Sequence, residues 1–362
     1  MEKLQDLRKA LSALDERLLE MVARRQSLVA EIGRVKSAAG RGTRDFAREK
    51  EVLELARATA LRVGVDGDIG VELFRTLIRA SLAAQEQDKV ATFGVGDGKR
   101  ALVIGGAGQM GRWFVRFLES QGYDVQVSDP ADPDSTDWRV MELDHDLIAI
   151  TAPVAATAQI MKDLAGLKPR GVVFDISSIK GPLRDGFEVL KNAGCRVASI
   201  HPMFGPDTEL LSGRNIIFVD TGVQSATETV KRLFAPTMAE QVDMTMDLHD
   251  KIMAYVLGLS HAVNIAFFKA LAESGENADQ LAALSSSTFD AQLDVASHVA
   301  QENPYLYFEV QSLNRHSSRA LVALLNAVTQ VAARVLDGDE KGFVELMEQG
   351  KAFLAGRPED RP

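Results

Sequence analysis

Gly106, Gly108 and Gly111 stand in the spacing G-x-G-x-x-G within "LVIGGAGQMG", directly after an apolar strand pattern and directly before a helical one. The first glycine permits a tight turn, the second lets backbone approach a pyrophosphate, and the third lets helix pack on strand. The N–H groups opening that helix, at Gln109 and Met110, then face the phosphates. Asp129 closes the next strand, eighteen residues after Gly111. A carboxylate there accepts from ribose hydroxyls and repels a 2′-phosphate, which favours NAD over NADP. Far upstream, Arg25 and Lys36 are eleven residues apart, close to three helical turns, so they share one helix face about 16 Å apart. Two long cationic side chains so placed can clasp a small dianion. Arg8 lies about 26 Å from Arg25 along the same axis, so if it holds a ligand it does so in a neighbouring subunit's site.

The elements that must carry these groups follow from hydrophobic period. From Leu4 to Val35 apolar residues recur at helical spacing for about nine turns, and no proline interrupts them. A helix of that length, near 48 Å, cannot bury its stripe against two shorter helices of its own chain, so a partner chain is the simplest cover. "TRDFAREKEVLELARATALRVG" and "DGDIGVELFRTLIRASLAAQEQ" read as those two helices, and "FGVGDGKR" as a Gly-rich linker. Strand and helix patterns then alternate to "QVDMTM", which implies a mostly parallel sheet covered on both faces. From about Asp247 the chain reads as helix throughout. The expected organisation is a helical domain over 1–92, a linker over 93–99, an α/β Rossmann-type nucleotide domain over 100–246 and a helical dimerisation and substrate domain over 247–362.

Composition narrows the partners. The net charge is −10, which disfavours nucleic acid and anionic membrane. Residues 1–57 alone are +3 and the remainder −13, a pattern that fits capture of a small anion by the first helices, although charge alone favours a solvated helix face. The opening "MEKLQDLRKA" lacks an apolar signal core, and no stretch reads as the roughly 18 apolar residues that span a bilayer, so the expectation is a cytoplasmic enzyme. A single cysteine, Cys195, excludes an internal disulfide and a cysteine-built metal site, and no metal is expected.

Several motifs in a fixed order carry a family resemblance. "LRKALSALDERLLEMVARR", "IGRVK", "RDFAREKEVL" and "SLAAQ" resemble the all-helical, intertwined dimeric chorismate mutase family. "GGAGQMG", "DISSIKGPL" and "HPMFGPD" are similar to the prephenate dehydrogenase family. The resemblance covers essentially the whole chain and explains why the glycine turn begins so late: a mutase domain precedes it. It implies a homodimer that rearranges chorismate to prephenate and then oxidatively decarboxylates prephenate to 4-hydroxyphenylpyruvate with NAD+.

Site roles follow from that resemblance. Arg25 and Arg48, with Arg8 from the partner chain, would grip the chorismate carboxylates, guanidinium being suited to bidentate contact. Lys36 and Gln85 would donate to the breaking ether oxygen, Glu49 would accept from the substrate hydroxyl, and Asp45 and Ser81 would support binding. In the second site His201 would take the hydroxyl proton, standing just past the strand "RVASI" at the carboxyl edge of the sheet. Ser178 and Lys180 would orient His201, substrate and nicotinamide. His261 matches a substrate-proximal position, or is a buried structural histidine. The His249–Asp250 pair carries less signal. The family pattern places an arginine nine residues before an aromatic to bind a carboxylate, and here His298 stands nine before Tyr307. That departure leaves open a dehydrogenase turned toward arogenate or 4-amino-4-deoxyprephenate, substitution by Arg315 or Arg319, or an NAD-binding regulatory scaffold.

Overall fold

The computed structural model describes residues 2–39 and 44–356. The first three helices are α1 (Glu2–Ala38), α2 (Phe46–Arg62) and α3 (Gly67–Phe93). The side chain of Asp45 caps α2 by accepting from Arg48 N at 3.1 Å, and that of Asp66 caps α3 by accepting from Asp68 N at 2.7 Å. Ala56 and Ala60 are buried where α2 meets α3, and the small Gly70 lets the two backbones approach. The stripe on α1 stays uncovered within one chain: Leu7 is 60%, Leu14 59% and Met21 64% exposed. Side chains this apolar left in water along one face mark a surface built to be covered.

A seven-stranded sheet follows, in the order β2-β1-β3-β4-β5-β6-β7. Its strands are β1 (Arg100–Ile104), β2 (Asp124–Ser128), β3 (Leu147–Ile150), β4 (Val172–Asp175), β5 (Arg196–Pro202), β6 (Asn215–Val219) and β7 (Glu240–Met244). All neighbours pair in parallel except β5 with β6. Helices α4 (Gln109–Ser120), α5 (Val154–Leu167), α6 (Arg184–Asn192) and α7 (Gln224–Phe234) pack on its faces. Strands β3 and β4 are buried at every residue, the uninterrupted apolar reading of a sheet covered on both sides. Among the described residues three core clusters result, one around Phe114, Phe174 and Phe234, one around Met161, Phe187 and Leu190, and a smaller one around Ile217, Met253 and Val310.

The glycine turn differs in one respect from the expectation. The positive φ of the tight turn falls at Gly105 (φ 89°), one residue before Gly106. Gly106 is instead needed for close approach, since a Cβ there would lie 2.6 Å from Val127 Cγ1. Gly111 has the packing role expected of it, a Cβ having no room against the carbonyl of Gly105.

Beyond β7 the chain is helical: α8 (Met246–Met253), one π-helical turn (Ala254–Leu259), α9 (Ser260–Glu273), α10 (Ala278–Ala283), α11 (Ser287–Gln301), α12 (Pro304–Ser312), α13 (Ser317–Leu336) and α14 (Glu340–Ala355). Two of these runs, Met246–Glu273 and Ser317–Leu336, are by length and composition alone long and apolar enough to cross a bilayer, contrary to the sequence expectation. Only 6% of the second is buried within one chain, and Leu325 and Val335 lie open. Replacing Gly111 with Ala is expected to destabilise the nucleotide domain by about 1–3 kcal/mol, the usual range for overpacking. Denaturant titration checks this, as a lowered midpoint at unchanged slope.

Candidate active sites

A cavity of about 610 Å³ opens between the first three helices. Arg25, Lys36 and Arg48 line it with Asp45 and Glu49, and Ser81 and Gln85 close one side. Seven of the eight residues expected to share a site are therefore brought together; Arg8 is exposed on α1 and does not reach this cavity. Arg25 Nη1 donates to Ser81 Oγ at 3.0 Å and to Leu77 O at 3.3 Å, and burial lowers its pKa. Gln85 Nε2 donates to Val29 O at 2.9 Å, so one of its two amide protons already holds α3 against α1. Lys36 Nζ stands 4.0 Å from Asp45 Oδ2, and Arg48 pairs with exposed Glu51. Glu49 is not a free carboxylate. Arg44, which sequence spacing did not single out because it precedes α2, binds it through Nε at 3.0 Å and Nη2 at 3.1 Å.

A second cavity, about 720 Å³, lies at the carboxyl ends of β1, β2 and β3, where the strand order reverses. Gly105, Gly108, Asp129, Thr151 and Pro153 line it. This is the crevice in which open α/β sheets hold nucleotides. Gly108 is the N-cap of α4 with no side-chain hydrogen bond, so the first N–H groups of the helix, at Gln109 and Met110, have no side-chain acceptor from the cap. Asp129 Oδ2 accepts from Ala107 N at 2.9 Å and Oδ1 from Ala131 N at 2.8 Å. The carboxylate thus braces the glycine turn, and each oxygen keeps a lone pair for a ribose hydroxyl. Glycine turn, open helix end and acid fit a dinucleotide.

The third constellation surrounds His201, which lies within β5 near its carboxyl end rather than past it, opposite Ile217 of antiparallel β6. His201 Nδ1 is 2.9 Å from His249 Nε2, and His249 Nδ1 is 2.8 Å from Asp250 Oδ1. Asp250 also accepts from Lys180 N at 2.9 Å and Gly181 N at 2.6 Å. Proton positions follow in order. A carboxylate only accepts, so His249 carries its proton on Nδ1; its Nε2 then accepts, and His201 must donate from Nδ1. The lone pair of His201 is left on Nε2, which has no hydrogen-bond partner among the described residues. Burial first, then the neighbouring His249 and Lys180, hold His201 well below the ordinary histidine range. Burial also lowers His249. Burial pushes the Asp250 carboxyl up, but its hydrogen bonds outweigh that and keep it below the usual range.

Lys180 departs from one part of its expected role, contact with substrate and nicotinamide, while its place is compatible with the other, orienting His201. It is fully buried, with Nζ 2.7 Å from both Asp175 Oδ2 and Ile200 O, and therefore fixes the strand that carries His201 without facing a ligand. The His249–Asp250 pair, the weaker sequence signal, is what joins His201 in a chain. Ser178 is half-buried between β4 and Lys180. His261, on α9, stacks on Tyr307 of α12 at 4.1 Å between ring centroids; its Nδ1 is buried and has no hydrogen-bond partner among the described residues, and burial lowers its pKa. His298 is exposed near the end of α11. Arg315 pairs with Asp247 at 3.0 Å, beside Arg184, and Arg319 is exposed.

Family models divide the chain in the same order as these sites. Residues 7–86 match chorismate mutase type II, 117–242 the nucleotide-binding domain of prephenate dehydrogenase, and 245–349 its dimerization domain. A chorismate mutase of Methanocaldococcus jannaschii is 33% identical over 86 residues, 24% of this chain and 87% of that protein. A T-protein of Enterobacter agglomerans is 28% identical over 342 residues, 93% of this chain and 89% of that one. The chain belongs to the fused chorismate mutase/prephenate dehydrogenase family. Its dehydrogenase fold is similar to the crystal structure of prephenate dehydrogenase from A. aeolicus in complex with hydroxyphenyl propionate and NAD+, at 20% identity and TM-score 0.55 over 70% of this chain and 96% of that one. The glycine turn precedes the matched part of the nucleotide-binding domain, so its assignment stands on its own geometry.

Two outcomes are expected of the dehydrogenase site. Because a base works only when neutral and His201 is held neutral by its surroundings, turnover should stay level as pH falls through the ordinary histidine range near 6.5 and drop only at lower pH. Asp250→Asn, which places an amide proton toward His249, should lower dehydrogenase kcat by about 10²–10³, within the span usual for a general base. Steady-state rates from pH 5 to 9 on both proteins check this.

Proposed function

We propose that the chain performs two consecutive reactions, rearranging chorismate to prephenate in the first cavity and oxidatively decarboxylating prephenate to 4-hydroxyphenylpyruvate with NAD+ at His201. The observation that carries the reading is the pairing of a cationic helical cavity with a neutral, oriented imidazole at the same sheet edge as a dinucleotide crevice.

The first reaction is pericyclic and moves no proton to or from the protein. The cavity's work is to hold a compact dicarboxylate and to stabilise charge gathering on the breaking ether oxygen. Arg25 and Arg48 take the carboxylates, and Arg8 of a second copy completes the grip, since its own helix carries it out of reach. Lys36 and the free amide proton of Gln85 face the ether oxygen. Glu49, fixed by Arg44, accepts from the substrate hydroxyl, while Asp45 and Ser81 hold Lys36 and Arg25 in place. Covering the exposed stripe of α1 with the same helix of a second copy makes the dimer and the complete site one event. A cytoplasmic setting suits the lone, buried Cys195.

In the second reaction Gly106, Gly108, Gln109, Met110, Gly111 and Asp129 would hold NAD+, which would supply a hydride acceptor. His201 Nε2 takes the proton of the ring hydroxyl as the hydride leaves the same carbon. That carbon becomes a carbonyl, and loss of CO2 from the opposite carbon leaves its electron pair to form the aromatic ring, the carbonyl oxygen becoming a phenolate that takes the proton back from His201 to give the phenol. His249 and Asp250 stabilise the imidazolium that forms. His261 and Tyr307, with Ser178, contact the substrate, and His298 stands where the family's carboxylate-binding arginine does.

Chorismate consumption and prephenate-dependent NADH formation, with arogenate and 4-amino-4-deoxyprephenate as competing substrates, test the reading; efficient turnover of prephenate is expected, and preference for either competitor would contradict it. Subunits carrying Arg8→Ala and subunits carrying Arg25→Ala are each expected to lose mutase activity and to regain part of it when mixed, because one hybrid site is complete. Absence of rescue in demonstrated heterodimers would contradict the shared site. Replacing His298 with Arg is expected to lower KM for prephenate, read from initial rates.

A further inference from the structure

The segment between β5 and β6, residues 203–214, belongs to the dehydrogenase domain and follows His201 directly. Two side chains of the helical domain seize it at adjacent residues. Glu86, only 4% exposed, accepts from Leu211 N at 2.7 Å through Oε2 and from Met238 N through Oε1. Arg44 Nη1 donates to Ser212 Oγ at 2.7 Å. The other face of this guanidinium's work is inside the first cavity, where Nε and Nη2 hold both oxygens of Glu49. Its plane also lies 4.3 Å from the ring centroid of Phe46.

The two grips address the two ends of the first site. Gln85 and Glu86 are consecutive on α3, about 100° apart around the helix, so Gln85 turns into the cavity while Glu86 turns into the neighbouring domain. Arg44 stands before α2, outside any helix, and has no helical ladder to fix its backbone. An arginine there has four rotatable side-chain bonds, and a bidentate pair with Glu49 alone leaves both partners free to swing together. The hydroxyl of Ser212 restricts that freedom by supplying a further acceptor from the neighbouring segment, which Trp113 Nε1 anchors by donating to Thr208 O at 2.9 Å.

We propose that the mutase site is held in shape from outside its own domain: Ser212 is a positioning residue for Glu49, acting through Arg44, and Glu86 fixes the same segment to the helix that carries Gln85. The proposal rests on the reading of the first cavity as the mutase site. A chain cut after α3 would keep every cavity residue yet lose the acceptor that orients one of them.

The test is steady-state chorismate turnover in the full-length protein, with prephenate-dependent NADH formation measured on the same preparations. Ser212→Ala should lower mutase kcat about three- to tenfold, the value of one ordinary intramolecular hydrogen bond, with dehydrogenase kcat and melting temperature unchanged. Ser212→Thr, which keeps the hydroxyl, should restore mutase kcat. Arg44→Lys should behave like Arg44→Ala, because an ammonium cannot bind Glu49 and Ser212 in one plane. Mutase kcat within twofold of wild type in Ser212→Ala would overturn the proposal. So would parallel loss of both activities with a lowered melting temperature, which would make Ser212 merely structural. A wild-type protein without mutase activity would instead remove the reading beneath it.

Discussion

The carboxylate of Asp250 accepts hydrogen bonds from His249 Nδ1, Lys180 N and Gly181 N, and the rest of the second site depends on that arrangement. Two of the donors are backbone amides after β4 and the third is a side chain of its own helix, so one acid ties the nucleotide domain to α8. Asn314 Nδ2 fastens the same residue from the far side by donating to Asp250 O at 2.7 Å. An acceptor with no proton to give dictates the tautomer of His249 and through it that of His201. Domain docking and the readiness of a base are thus fixed by one ionised group.

Burial makes this arrangement stringent. Lys180 and Asp175 are both fully buried, and an ion pair away from water is tolerated only where geometry and further hydrogen bonds compensate for lost hydration. Lys180 meets that condition through Ile200 O, and so spends its charge on holding β5 in place. The first cavity meets a comparable demand differently. Of its cations, Lys36 stands near Asp45 and Arg48 pairs with Glu51, while Arg25 is held by Ser81 Oγ and Leu77 O.

Much of this was legible in the sequence, and the exceptions have physical causes. Helical period located α1 and its uncovered face, because a nine-turn stripe has no room in three helices. Of the seven cavity residues, helical spacing singled out Arg25 and Lys36 and the family resemblance supplied the other five, while the alternating strands gave the parallel sheet. Spacing does not reveal φ, so the turn was placed at Gly106 when Gly105 adopts the left-handed conformation. Arg44 lies in no periodic element and left no signal. A lysine beside a strand end reads as a ligand contact until packing shows it beneath the strand, and His249–Asp250 is only a dipeptide until α8 docks against β5. The apolar runs of α8–α9 and α13 are interrupted enough to escape a search for continuous hydrophobicity, yet as helices they are long and apolar.

The central claim is that His201 is neutral and protonated on Nδ1, with Nε2 free to take a proton. Nitrogen-15 NMR of the histidine rings in the folded protein near pH 7, with His201 assigned by substitution, reads this directly. Nδ1 should show the shift of a protonated ring nitrogen and Nε2 that of a bare one. A proton on Nε2, or two equivalent protonated nitrogens, would contradict the account.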